Sequence, residues 1–383
     1  RELAAAVVAL REGQGDRQLR DLDLADLEKV RAGLHHRFAA ELAVGLAALG
    51  RPEGAALLES LGPVGRDAVR ALAAGDGGSA GSAGSAGSAR TARTARSART
   101  ARSARALLGA VPAPPRQVAE LSVLGPMTLR LRGDATAGAP GVDVVEPDLG
   151  RKRLRALLAY LVIHRKTDRA TIMGALWPDL GERAASNNLA VTLTYVLGAL
   201  EPTRAAGEPA YLVRVEGRSV WLVTGSHLQV DVDRFEHHLT EAAQAEAAGT
   251  PSVALDHDLA AAELYRGELF ADVPDADWMV LDREHYRTRF VTAAIRAGQL
   301  LLGRGDSDEA EAMARRALAA DPWAEEAYAV LVAAAVANGD RSGARRLLDR
   351  CIAALADIGV APSDATRQLQ RRVQGTIALA SGS

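Results

Sequence analysis

The chain has 383 residues, enough for two or three domains that each bury a core, and its formal net charge is −2. It is 48% hydrophobic, 25% charged and only 4% aromatic, so its cores should be mostly helical and built from small side chains. The single cysteine, Cys351, excludes a disulfide framework and an all-cysteine zinc site, and no apolar run reaches the roughly 18 residues that span a bilayer. The opening "RELAAAVVALREGQGD" is charged and lacks a cleavage pattern, so the expected location is cytoplasmic. It begins with Arg rather than Met, as a fragment or a processed chain would. The charge is segregated: about −1 over 1–74, about +5 over 75–115, about +3 over 116–230 and about −9 over 231–383. The middle suits a polyanion and the C-terminal third does not.

Residues 1–74 read as three or four Ala/Leu-rich helices with breaks at "GQGD", "GRPEG" and "LGPVG", and nothing in them points to chemistry. Residues 75–115 read as a low-complexity linker, first Gly/Ser/Ala and then Arg-rich. Arginine recurs at 90, 93, 96, 99, 102 and 105. Two readings stay open for this tract: a solvated spacer, which such repeats usually are, or a nonspecific grip on phosphates.

From Val118 the pattern changes to alternation. "VAELSVLG" and "PMTLRLRG" predict a β-hairpin or meander around Gly125-Pro126, and "GVDVVE" another short strand. "GRKRLRALLAYLVIH" predicts a helix with Leu154, Leu157, Leu158, Leu161 and Val162 on one face. Thr167 or Asp168 can cap a short helix, "RATIMGALW", which Pro178 stops. A long helix follows from about Glu182 to Leu200, and "AYLVRVEGRSVWLV" then gives two strands turning near Glu216-Gly217. Sheet, three helices and hairpin in that order describe a winged helix with an N-terminal sheet, over 116–230.

After Gln229 the pattern is wholly helical. "GD" at 305–306 returns at 339–340, the 34-residue tetratricopeptide period. That register puts Gly298, Leu301, Ala310 and Ala317 on small and apolar positions, and Ala344 and Cys351 on the small ones of the next repeat. Residues 231–376 are therefore expected to form a helical bundle, with 377–383 as a tail. The fold class is mainly α with a small α/β winged-helix domain.

Strings that imitate catalytic signatures do not survive their context. "GGSAG" at 77–81 has the nucleophile-elbow spacing but sits in a repeat with no strand before it. "WPD" at 177–179 resembles a phosphatase acid loop, yet the residue six after Cys351 is Asp357 where that chemistry needs Arg. There is no Gly-Lys pair for a phosphate-binding loop, and the paired histidines at 35–36 and 237–238 point about 100° apart on a helix. No catalytic residue, cofactor or metal is expected, and the chain is read as not an enzyme.

On the helix at 182–200, Leu189, Leu193, Val196, Leu197 and Leu200 gather on a core face. The opposite side carries Asn187, Asn188, Val191, Thr194 and Tyr195, with Arg183 near the first turn. An ordinary surface helix carries Glu and Lys there. Asn can pair with adenine in the major groove, and Val or Thr can meet a thymine methyl. Arg151, Lys152, Arg153 and Arg155 are placed to hold phosphates, as are Arg214 and Arg218 in the hairpin. The competing reading is that Asn187 and Asn188 cap a helix after a loop and the basic residues are merely solvated.

At these residues a resemblance appears. "LGRKRLRALLAYLVIHRKTDRATIMGALWPD" with "AASNNLAVTLTYVLGALEP" resembles the OmpR-type winged helix of actinobacterial antibiotic regulatory protein-type (SARP-like) regulators. "LYRGELFADVPDADWMVLDREHYR" and "GDSDEAEAMARRALAADPWAEEAYAVLVAAAVANGDRSGARRLLDRCIAAL" resemble their bacterial transcriptional activator domain, a tetratricopeptide-like bundle. The likeness covers about 118–375 and not the first 115 residues. It implies a transcriptional regulator, an activator, that binds double-stranded DNA as a dimer on direct repeats. It also implies contact with the transcription machinery or another protein through the helical domain, and no membrane. Family members often carry an ATPase or sensor module, of which the N-terminal segment can be a remnant. One departure stands out: Tyr195, Leu197 and Gly198 occupy positions where the family usually has arginines. That departure keeps a rival open, a protein-interaction scaffold whose winged helix has lost most DNA binding.

Overall fold

The computed structural model describes residues 19, 36–74, 87–112, 114–133, 144–145 and 147–381. The first described elements are three helices, α1 (His36–Ala48), α2 (Glu53–Ala74) and α3 (Gly87–Ala110). Gly50, at φ +73°, makes the turn between α1 and α2 at the expected "GRPEG" break. The "GQGD" break lies outside the described residues. The expected break at "LGPVG" is absent: α2 runs through it. Apolar residues on both sides of that segment, Leu57, Leu58 and Leu61 before it and Val69 and Ala73 after it, are buried in one core with α1 and α3, which offsets the backbone bond that proline cannot make. The Arg tract is likewise not a plain spacer, since 87–110 is a single helix. Ala and Arg are both strong helix formers, and Ala104, Leu107, Leu108 and Val111 anchor its end in the same core. Residues 75–86 lie outside the description.

The winged helix follows. Strands β1 (Gln117–Ser122) and β2 (Thr128–Gly133) form the antiparallel hairpin, extended by β3 (Val144–Val145). Three helices come next: α4 (Lys152–His164), α5 (Arg169–Leu176) and α6 (Glu182–Leu200). Asp168 caps α5 by accepting from the Ala170 N–H at 2.8 Å. The wing is β5 (Val213–Glu216) and β6 (Ser219–Leu222), with Gly217 at φ +58° in its turn. Two strands escape the sequence patterns because they are only three residues long: β4 (Lys166–Asp168), which pairs with β6, and β7 (Leu228–Val230), which pairs parallel with β1. The sheets therefore run β3-β2-β1-β7 and β4-β6-β5.

The C-terminal region is helical apart from the segment 265–279 and short turns: α7 (Asp231–Ala247), α8 (Pro251–Leu264), α9 (Val280–Arg304), α10 (Ser307–Ala320), α11 (Glu325–Ala337), α12 (Arg341–Asp357) and α13 (Asp364–Ser381). The repeat register holds. Leu301, Ala310, Ala317, Ala344 and Cys351 are buried. A Cβ on Gly298 would meet Val330 Cγ1 at 2.9 Å, so α9 and α11 approach at a glycine. One continuous core joins this region to the winged helix. At the junction the Asp231 carboxylate, 6% exposed, accepts from the Val123 N–H at 2.8 Å and the Leu124 N–H at 3.0 Å, with Arg266 at 3.4 Å. The β1–β2 turn is also hydrogen-bonded along its backbone to 266–271: Arg266 N to Leu124 O, Phe270 N to Val123 O and Ala271 N to Gly125 O. Gly125 holds φ +130°, which side chains rarely adopt, and a Cβ there would lie a tight 3.2 Å from the Cβ of Arg266.

Two outcomes follow. Asp231→Ala leaves two buried amides and an arginine without their acceptor, so chemical denaturation should show a loss of about 3 kcal/mol; a change within about 0.5 kcal/mol, the usual surface value, removes Asp231 from this role. Burial pushes the Cys351 thiol up to about 11. Its thiolate fraction is then about a hundredfold below that of an ordinary cysteine, so a thiol reagent should label the native protein slowly and the unfolded protein at once.

Candidate nucleic-acid interface

The surface of interest is built on α6. Its buried side is Ala185, Leu189, Thr192, Leu193, Val196, Ala199 and Leu200, packed on α4 and α5. Arg183, Asn187, Asn188, Val191, Thr194 and Tyr195 are all exposed. At 100° per residue, Arg183, Asn187, Val191 and Thr194 form one stripe, flanked by Asn188 and Tyr195. Val191 at 55% and Tyr195 at 41% exposure are large apolar groups held out in solvent. The capping reading of the Asn pair fails. Gly181 is the N-cap of α6, which puts both asparagines in the second turn, and neither side chain is engaged by another described residue. The Thr194 hydroxyl donates to Ala190 O at 3.0 Å within the helix, so it is tied back to its own turn.

The basic residues divide by what they touch. The Arg151 guanidinium lies 4.0 Å from the centre of the Tyr195 ring, a cation–π contact that carries a positive charge from the start of α4 onto the α6 surface. Lys152 and Arg183 are exposed. Arg153 instead donates to Leu176 O at 2.7 Å, capping the end of α5, and stands over Trp177. Arg155 is half-buried and turned elsewhere: it pairs with Asp272 at 2.9 Å, whose other oxygen accepts from the Met127 N–H. In the wing, Arg218 is exposed and 3.3 Å from Asp168, and Arg214 lies 5.4 Å from the Tyr211 ring centre. Of the three positions where arginines were expected, Tyr195 and Gly198 face solvent and Leu197 is half-buried.

Behind this surface, α4 is pinned on two sides. Tyr160 meets Trp278 edge-on at 5.1 Å on the helical region, and α6 packs on the opposite side. Glu201, 4% exposed, ends α6 and accepts from the Tyr211 and Leu212 N–H groups at 2.9 and 2.6 Å, fixing the return to the wing. Burial pushes its carboxyl above the ordinary range, against these hydrogen bonds and the nearby Arg204. The sequence patterns missed Tyr160–Trp278, Arg155–Asp272 and Glu201. The signal was present only in part, as the near-continuous burial of 157–162 where one apolar stripe would suffice.

Residues 230–374 match the model of the bacterial transcriptional activator domain. A structure of Mycobacterium tuberculosis EmbR in complex with a low-affinity phosphopeptide is similar with a TM-score of 0.56 and 20% identity, over 68% of this chain and 66% of that one. At that identity the likeness is one of fold, and it extends beyond the activator domain. No curated protein matches the chain. Among the described residues no helix is long and apolar enough to cross a membrane, and no three His, Cys, Asp or Glu groups are placed to hold a metal.

Because Asn187 and Asn188 support nothing in the fold, the double substitution to Ala should leave the melting midpoint unchanged, within about 0.5 kcal/mol. A loss of about 1 kcal/mol or more would return them to a structural role.

Proposed function

We propose that the protein is a transcriptional regulator, acting as an activator, that reads duplex DNA with α6 in the major groove. The observation that carries this is the exposed stripe on α6: short amide, hydroxyl and methyl groups with no acid after Glu182, and the Arg151 guanidinium held against it by Tyr195. Asn187 and Asn188 face adenine edges. Val191 and the Thr194 methyl face thymine methyls, and Tyr195 spans the sugar-phosphate edge. Arg183 lies at the N-terminal end of the stripe, where α6 also offers its first-turn N–H groups to a phosphate. Arg151 and Lys152 hold phosphates at the start of α4, and Arg218 and Arg214 do so from the wing. Arg153 contributes by fixing α5 rather than by reaching DNA.

The activator domain carries the acidic end of the chain, so its charge keeps it off the DNA and open to the transcription machinery or to a second copy of the protein. Binding as a dimer on direct repeats fits a winged helix that is held rigidly on such a domain. A specific observation also favours the rival scaffold reading: α6 presents Tyr195 and Gly198 where phosphate-gripping arginines were expected.

Selection from a random duplex pool with the full chain, at two salt concentrations, separates the two. The regulator enriches a short direct repeat and loses affinity steeply with salt. On the selected site, Asn187→Ala with Asn188→Ala should cost about 1–3 kcal/mol for each asparagine–adenine pairing removed and relax preference at those positions only. If no sequence is enriched, the winged helix is not a reader and the scaffold stands.

A further inference from the structure

The Arg tract is a helix whose charges have no face. Arginine recurs every 3 residues from Arg90 to Arg105, while the helix turns every 3.6, so each successive arginine position steps about 60° around the axis. Six of them complete the circle. No acid occurs between Asp76 and Glu120, and no apolar residue larger than Ala occurs from 87 to 106. Its C-terminal end is anchored. Ala101, Ala104, Leu107 and Leu108 are buried, whereas Arg99 and Arg102 are exposed.

The anchor leads to the winged helix. Arg105 donates to Ala73 O at 3.1 Å, and the buried Arg66 donates to Leu108 O and Val111 O, tying α3 to α2. Arg70 then grips Glu208 through both oxygens at 2.9 Å, with Arg66 3.7 Å away, and Glu208 lies in the loop joining α6 to the wing. Arg116, just before β1, pairs with Asp67 on the same helix. The cationic helix is thus braced against the reading domain, beside the loop that ends the reading helix.

We propose that α3 is a second, sequence-independent DNA-binding element, its arginines lying along the phosphates of the duplex that flanks the site read by α6. The inference rests on the DNA-reading function proposed above. Arginine positions that step around the axis from 90 to 102 offer no single complementary surface to a folded partner, and that stretch lacks the apolar residues that a membrane-surface helix buries. A polyelectrolyte asks only for charge density, because release of its counterions supplies the affinity. The arginine positions, 90–105, run along about 22 Å of helix, within one turn of duplex. The acidic activator domain is the competing occupant, but no ion pair joins Arg99, Arg102 or Arg105 to it among the described residues.

The test uses the full chain and two duplexes, the selected site alone and the same site with about 15 flanking base pairs on each side. Binding is titrated against salt. Arg90, Arg93, Arg96 and Arg99 are changed together to Gln, and in a second variant to Lys. On the flanked duplex the Gln variant should lower the slope of log K against log salt by about 1.8, the two positions that one side of the helix can turn to the duplex, while the ratio of affinities for the site and a scrambled site stays constant. The Lys variant should keep the slope within about one unit of the unsubstituted chain. An unchanged slope for the Gln variant on the flanked duplex overturns the inference while the reading function stands. A Lys variant as weak as the Gln variant overturns it too, since the loss is then structural. A wild-type chain that binds neither duplex removes the reading function and this inference with it.

Discussion

The architecture turns on one carboxylate. Asp231 is the first residue of α7, where an acid complements the helix dipole, yet its side chain is turned to the Val123 and Leu124 amides of the β1–β2 turn. Those amides lie where β1 ends, and the turn's carbonyls are taken by 266–271. A buried ion is costly, and this one is stabilised by three hydrogen-bond donors at once. Burial still pushes its carboxyl above the ordinary range. The charge is tolerated because both oxygens accept from backbone amides, which would lose a buried acceptor without it.

From that junction the geometry of the reading surface follows. The turn is gripped by the activator domain, and Arg155 with Asp272 repeats the bond one layer away on α4. Since α6 packs on α4, and α4 meets Trp278 through Tyr160, a single stack of packed side chains runs from the activator domain to the exposed stripe. Close-packed cores transmit displacement instead of absorbing it. The exposed stripe of α6 and the helical region are therefore joined through packed side chains in one continuous core.

How much of this was legible in the sequence depended on the range of the interaction that sets each part. The α6 limits, the wing turn at Gly217 and the repeat register were readable because local periodicity and turn chemistry decide them. β4 and β7 were not, being too short to show alternation; they exist because a neighbouring strand supplies their partners. Pro63 marked a break that the packing of α2 overrides, and the Arg tract hid a helix behind low complexity because Ala and Arg satisfy both descriptions. At the reading surface, the exposed residues of α6 were legible from angle alone. The fates of Arg153 and Arg155 were not, since a basic run on a helix does not show which arginine meets a carbonyl, which a distant aspartate and which only water.

The missing arginines of α6 then acquire a physical meaning. A reading helix can take its positive charge from its own sequence or from a neighbour, and here Tyr195 stands where the first arginine was expected and holds the Arg151 guanidinium over its ring. The ring fixes that group more narrowly than a free lysine or arginine side chain is fixed, so less rotamer freedom remains to be lost on binding. What it cannot supply is number: one borrowed cation does not replace several, and the salt-dependent part of affinity scales with the count. A winged helix so economical in charge and a helix so rich in it occur in one chain, braced together through Glu208. Under the proposed function this division would let base recognition be selective without being sticky, while phosphate attraction would raise the time spent near any duplex.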